Sequence, residues 1–139
     1  AELADGSLYI NCRNYRGEKR RASARSTDGG DSFAQRIWED GLPEPICQGS
    51  LVSLPGVDGT LPSDRALFAN PASTEARRNL TLRITQDGGR SWALLRSLYE
   101  GPAAYSDLAV VKGGEVLCLY ERGAESAYET LTVARLTLR

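Results

Sequence analysis

Apolar and polar residues alternate along most of this chain. In residues 7–13, Leu8, Ile10 and Cys12 fall on one side while Tyr9, Asn11 and Arg13 fall on the other, the period of two that defines a strand. The same pattern predicts strands over residues 21–26, 50–54, 65–69, 79–85, 92–98, 107–111, 115–120 and 130–138. No segment carries a helical stripe. Turn residues lie between the strands at hairpin distances. The pairs Asp5-Gly6, Asp58-Gly59 and Gly113-Gly114 supply the positive φ angles that tight β-turns need. An antiparallel up-and-down chain follows.

One motif occurs twice. Ser26-Thr27-Asp28-Gly29-Gly30-Asp31-Ser32-Phe33 and Thr85-Gln86-Asp87-Gly88-Gly89-Arg90-Ser91-Trp92 share the form [ST]-x-D-x-G-x-x-[FW]. Such spacing suggests one supersecondary unit used more than once. The Asp can accept N–H groups from its own turn, Gly permits the left-handed bend, and the aromatic ring is expected under the next strand. A calcium loop would need more carboxylates and a bidentate Glu, so the motif reads as a structural clamp.

Between the clamps the strands group in fours. Residues 50–54, 65–69, 79–85 and 92–98 form one complete group, with the second clamp joining its last two members. The expected fold is therefore all-β, an incomplete propeller built of antiparallel four-stranded sheets. Its expected parts are a blade without its first strand over about 1–46, a complete blade over about 47–103, and a final blade over about 104–139. A β-sandwich is the structural alternative.

Composition narrows the partners. The net charge of −1 and the absence of any long Lys/Arg run leave no field to hold a polyanion, which excludes nucleic acid as an expected partner. No apolar stretch approaches the roughly 18 to 20 residues of a membrane-crossing helix. Cys12, Cys47 and Cys118 are widely spaced and the chain has no His, so buried free thiols are expected and a zinc site is not. The chain opens on Ala and contains no Met, so an upstream portion is expected. Cellular compartment stays open.

The two clamps are Asp-boxes, or BNR repeats, and with five other segments they resemble the exo-sialidases (neuraminidases). Glu2-Leu3-Ala4-Asp5-Gly6-Ser7-Leu8-Tyr9-Ile10-Asn11-Cys12-Arg13-Asn14 is similar to that family's E-L-x-D-G-x-L-x-x-N-x-R stretch. Cys47-Gln48-Gly49-Ser50, Arg77-Arg78-Asn79-Leu80 and Tyr105-Ser106-Asp107-Leu108, then Leu119-Tyr120-Glu121, agree in order and spacing. The resemblance covers the whole chain and corresponds to the C-terminal half of a six-bladed catalytic propeller.

What the resemblance implies is specific. Arg13 and Arg77 match two members of the arginine triad that grips the carboxylate of sialic acid, a task suited to a guanidinium fork. Tyr105 matches the nucleophile of a retaining glycosidase class that replaces the usual carboxylate with a phenol. Glu121 matches the acid that orients the first arginine. Gln48 is a candidate for the pocket lining, but a polar residue before a strand is common, and it stands outside this expected site. No cofactor and no metal is implied.

The first triad arginine, the Asp acid/base and the Glu base belong to earlier parts of the family pattern. Glu2 lies five positions too late to be that base. The complete protein is thus expected to cleave terminal α-linked sialic acids with retention, and the isolated chain to be inactive. Its expected partners are a sialylated glycan and the remaining blades of the propeller. The alternatives are a non-catalytic sialic-acid-binding propeller and an Asp-box scaffold for protein partners.

Overall fold

A computed structural model describes residues 1–111 and 113–138. Nine strands and no helix occur among these residues. Strands β1 (Leu8–Cys12), β2 (Arg20–Ser26) and β3 (Ile37–Pro43) pair antiparallel in one sheet. Strands β4 (Ser50–Ser53), β5 (Ala66–Pro71), β6 (Arg78–Thr85), β7 (Ala93–Val110), β8 (Glu115–Arg122) and β9 (Thr130–Thr137) follow in spatial order in a second, strongly curled sheet. Every pairing joins sequence neighbours, as the up-and-down reading requires.

The second sheet curls because β7 serves two neighbourhoods. Its first part, from Ala93 to Pro102, pairs with β6. Its second part, from Ala103 to Val110, pairs with β8, with a register break between Ala103 and Ser106. Strands β4 to β6 and the start of β7 therefore form one four-stranded layer, and the rest of β7 with β8 and β9 forms the next. Leu54, Leu67, Leu80 and Leu82 from the first layer meet Leu108, Val116, Cys118, Tyr120 and Leu136 from the second. Full burial of each such Leu contributes roughly 2 kcal/mol. The opposite face of β5 carries Phe68, which packs against Trp92 with ring centroids 5.8 Å apart. With both faces covered, all six β5 residues are buried.

Both Asp-boxes make the same internal net at one rim of the sheets. Ser26 and Thr85 donate to Asp28 and Asp87 at 2.6 and 2.8 Å. The same hydroxyls accept from Gly30 and Gly89 at 2.9 and 2.8 Å. Ser32 and Ser91 then donate to those Asp residues through backbone and side chain. The second box also joins the two sheets. Gly89 (φ +83°) lies so close to the Tyr9 ring that a Cβ there would be 2.7 Å from it, which only glycine can satisfy. Arg25 donates to the Gly88 carbonyl, and Trp92 meets Tyr9 at 6.2 Å.

This net has a pH signature. Partial burial raises the Asp87 carboxyl, but hydrogen bonds from Ser91, Thr85 and the Arg90 backbone outweigh that effect and hold it at about 2. A lowered carboxyl stabilises the fold fully above its unfolded value near about 4, and that contribution disappears as pH falls toward 2. Asp87→Asn is expected to lower stability at neutral pH and to flatten the acid limb between about pH 4 and 2. Urea midpoints measured across that range check both parts.

The structure departs from the sequence reading at several places. On β1 it is Tyr9, not the Leu8, Ile10 and Cys12 side, that is most buried, at 3% exposure, while Cys12 is exposed. The Tyr9 hydroxyl reaches the buried Glu39 at 3.1 Å, and burial pushes this phenol up to about 12. Cys47 and Cys118 are buried free thiols as expected. Strand β3 was not expected at all, and residues 93–98 and 107–110 of two expected strands belong to the single strand β7. Phe33 remains 41% exposed, so only the second box tucks its ring away. Leu119, Leu131 and Val133 leave one face of the last layer open.

Candidate active site

The rim opposite the Asp-boxes gathers the candidate residues. It is formed by the end of β1, the segment before β4, the β5–β6 turn, the register break in β7 and the β8–β9 turn. Tyr105 sits at that break and is 42% exposed. An interrupted ladder leaves backbone groups that need other partners. Glu121 supplies one, its Oε2 accepting the Tyr105 N–H at 3.0 Å. A carboxylate so used still has a second oxygen that can take an arginine.

Arg77 reaches the same place from the β5–β6 turn. Its backbone carbonyl accepts from Ala103 at 2.9 Å, two residues before Tyr105. Its guanidinium carbon lies 5.4 Å from the centre of the Tyr105 ring. The Arg77 donors go to the Tyr128 hydroxyl at 2.6 Å and the Ile46 carbonyl at 3.2 Å. Tyr128 is carried on a turn whose N–H groups at Ala124, Glu125 and Ser126 all point to the Glu129 carboxylate. Those bonds hold the Glu129 carboxyl below its ordinary value. Beside Arg77 and Tyr128 opens a hollow of about 550 Å³, and a second of about 320 Å³ lies between Tyr105, Gln48 and Glu121.

Arg13 follows β1 and stacks on Tyr15, 5.2 Å from its ring centre. The buried Cys47 thiol lies in the segment before β4. Burial pushes that thiol up, while the positive charges of Arg77, Arg21 and Arg13 all pull it down. The loop bearing Arg13 is fixed from below by Glu44. This carboxylate is 1% exposed and accepts from Asn14 through backbone and side chain, at 3.1 and 3.2 Å. It also pairs with Arg21 at 3.0 Å and accepts the Cys47 N–H at 3.3 Å. Arg21, itself 2% exposed, completes its shell with Asn11 and the Cys47 carbonyl, both at 2.6 Å.

Arg77, Tyr105 and Glu121 are thus joined by direct contacts, whereas the contact that Arg13 makes is with Tyr15. Sequence reasoning missed Glu44, Ile46 and Tyr128, and left Gln48 aside. The one signal for Glu44 was a carboxylate between two prolines in an otherwise apolar stretch, Leu42 to Cys47. Ile46 gave no signal, although its φ of +58° is rare for a β-branched residue and aims its carbonyl at Arg77. Among the described residues no cluster of three metal-binding side chains occurs.

Antiparallel sheets clamped by two Asp-boxes define a BNR-repeat protein, and residues 1–118 match the BNR repeat-like domain family. The chain belongs to that family. It is 33% identical to a sialidase of Micromonospora viridifaciens, covering 97% of this chain and 21% of that protein. It is 35% identical to a sialidase of Bacteroides fragilis, covering 87% and 23% respectively. A Hadza microbial sialidase superposes with a TM-score of 0.80 at 33% identity, over 96% of this chain and 25% of its own. The chain therefore spans a quarter or less of the length of these relatives. An α-L-arabinofuranosidase of Fusarium graminearum shares the fold alone, with a TM-score of 0.69 at 18% identity over 97% of this chain and 42% of its own.

Proposed function

We propose that the complete protein is an exo-sialidase that removes terminal α-linked sialic acids with retention, and that Tyr105 is its nucleophile. The contact that carries this reading is Arg77 against Tyr105, a permanent cation 5.4 Å from a phenol ring at an accessible rim. A sialoside bears a carboxylate on the carbon to be attacked. A carboxylate nucleophile would meet that group with like charge, whereas a phenol can arrive neutral and release its proton during attack. Arg77 and Arg13 then hold the substrate carboxylate by charge-assisted hydrogen bonds, and Glu121 orients a third arginine while holding the Tyr105 backbone. The acid that protonates the leaving oxygen and the base that assists Tyr105 lie outside this chain. The open face of the last layer is the surface on which the remaining blades would close the propeller.

Hydrolysis of a fluorogenic sialoside by the complete protein tests the activity. Arg13→Ala and Arg77→Ala are each expected to weaken binding of sialic acid by about 10- to 100-fold, the worth of a charge-assisted pair. Titration calorimetry reads this loss; affinities indifferent to both changes would point to a scaffold instead. Nuclear magnetic resonance of the first product checks retention, with release of the opposite anomer as the contrary result.

A further inference from the structure

We infer that Gln48 is a positioning residue for Tyr105, a role that rests on the sialidase reading and adds to it. Beyond Pro102, β7 has lost β6 as a neighbour, and at Ser106, where pairing with β8 resumes, the backbone groups turned away from β8 need other partners. Gln48 meets both backbone groups of Ser106: its Oε1 accepts the N–H at 3.0 Å and its Nε2 donates to the carbonyl at 3.0 Å. A primary amide presents one acceptor and one donor side by side, the pattern that one residue of a neighbouring strand would offer. The side chain takes the place of a missing strand residue. Its orientation is set by the partners, because a flipped amide would turn donor toward donor.

Gln48 is itself held on both sides. On one side the Cys47 N–H is bound by buried Glu44. On the other, Gly49 packs so tightly on Phe68 that a Cβ would come within 2.5 Å of the ring. Ser50 then continues the lacing, accepting the Leu108 N–H at 2.9 Å and donating to Asp107 at 3.3 Å. The same short segment gives the Ile46 carbonyl to Arg77. Segment 44–50 thus sets the Tyr105 backbone against Arg77. Gln48 fixes the approach of the phenol without binding the carboxylate, so its loss falls on turnover and not on affinity.

The experiment uses the complete protein with a fluorogenic sialoside. Gln48→Ala is expected to lower kcat by about 10- to 100-fold, the scale of a small misplacement of a reacting group, with KM within about 3-fold of wild type. Gln48→Glu adds a test of the hydrogen-bond pattern. Ionised, it can accept the Ser106 N–H but repels the carbonyl; protonated, it restores both bonds. Its kcat relative to wild type is therefore expected to rise as pH falls from 7 toward 5, while that of Gln48→Ala stays flat. A Gln48→Ala enzyme with wild-type kcat, a change confined to KM, or a Gln48→Glu ratio independent of pH would each overturn the inference. A wild-type protein that does not turn over the sialoside would instead overturn the sialidase reading, and any catalytic role of Gln48 with it.

Discussion

Replacing Tyr105 with Phe in the complete protein is expected to reduce sialoside turnover on the order of 10³-fold or more. Phe retains the ring that Arg77 approaches at 5.4 Å and removes only the oxygen that would bond to the sugar. Binding of sialic acid should therefore persist, and steady-state kinetics with calorimetry on the same variant separate the two quantities. Turnover within a factor of ten of wild type would remove the phenol from the chemistry. It would leave a rim that binds the sugar and does not cleave it by this route.

The second large effect concerns stability. Glu44→Ala leaves the Arg21 guanidinium, 2% exposed, without its carboxylate. Loss of one partner from a buried ion pair costs about 3–5 kcal/mol, because an uncompensated charge remains in a poorly solvating place. The change also strips the Asn14 and Cys47 N–H groups of their acceptor. Urea unfolding of the complete protein should show a lower midpoint with little change in slope. Adding Arg21→Met to Glu44→Ala should recover part of the loss, since the stranded charge then disappears. Recovery cannot be complete while the two backbone donors stay unpaired.

Features whose partners lie within a few residues were legible in the sequence. The Asp-box is such a case: Asp28 bonds Ser26 and Ser32, and Asp87 bonds Thr85 and Ser91, all within four positions. Turn glycines and the alternation of β8 and β9 belong with it. Strand β3 was hidden because Ile37-Trp38-Glu39-Asp40-Gly41-Leu42-Pro43 mixes acids, Gly and Pro, and its buried Glu39 is satisfied by Tyr9 and Ser23 from other strands. The buried face of β1 was misread for the same reason, since a polar-tipped Tyr turned inward to meet that acid.

For the candidate site the boundary is similar. The side chains named by the family resemblance could be read off, but their supports could not. Gln48 binds the backbone of a residue 58 positions away, and a backbone group leaves no trace in residue identity. Glu44 meets Arg21 and Asn14, 23 and 30 positions away, through pairings that only the folded sheets create.

Strand β7 passes from one layer to the next without a loop between them. A door needs a hinge, and this junction has none: Ala103, next to the break, is fully buried and bonded to Arg77. Tyr105 consequently sits within a strand that is paired on either side of it and not on a loop. On the proposed reading, a glycan would reach Tyr105 past the surface turns around it, such as the one that carries Tyr128.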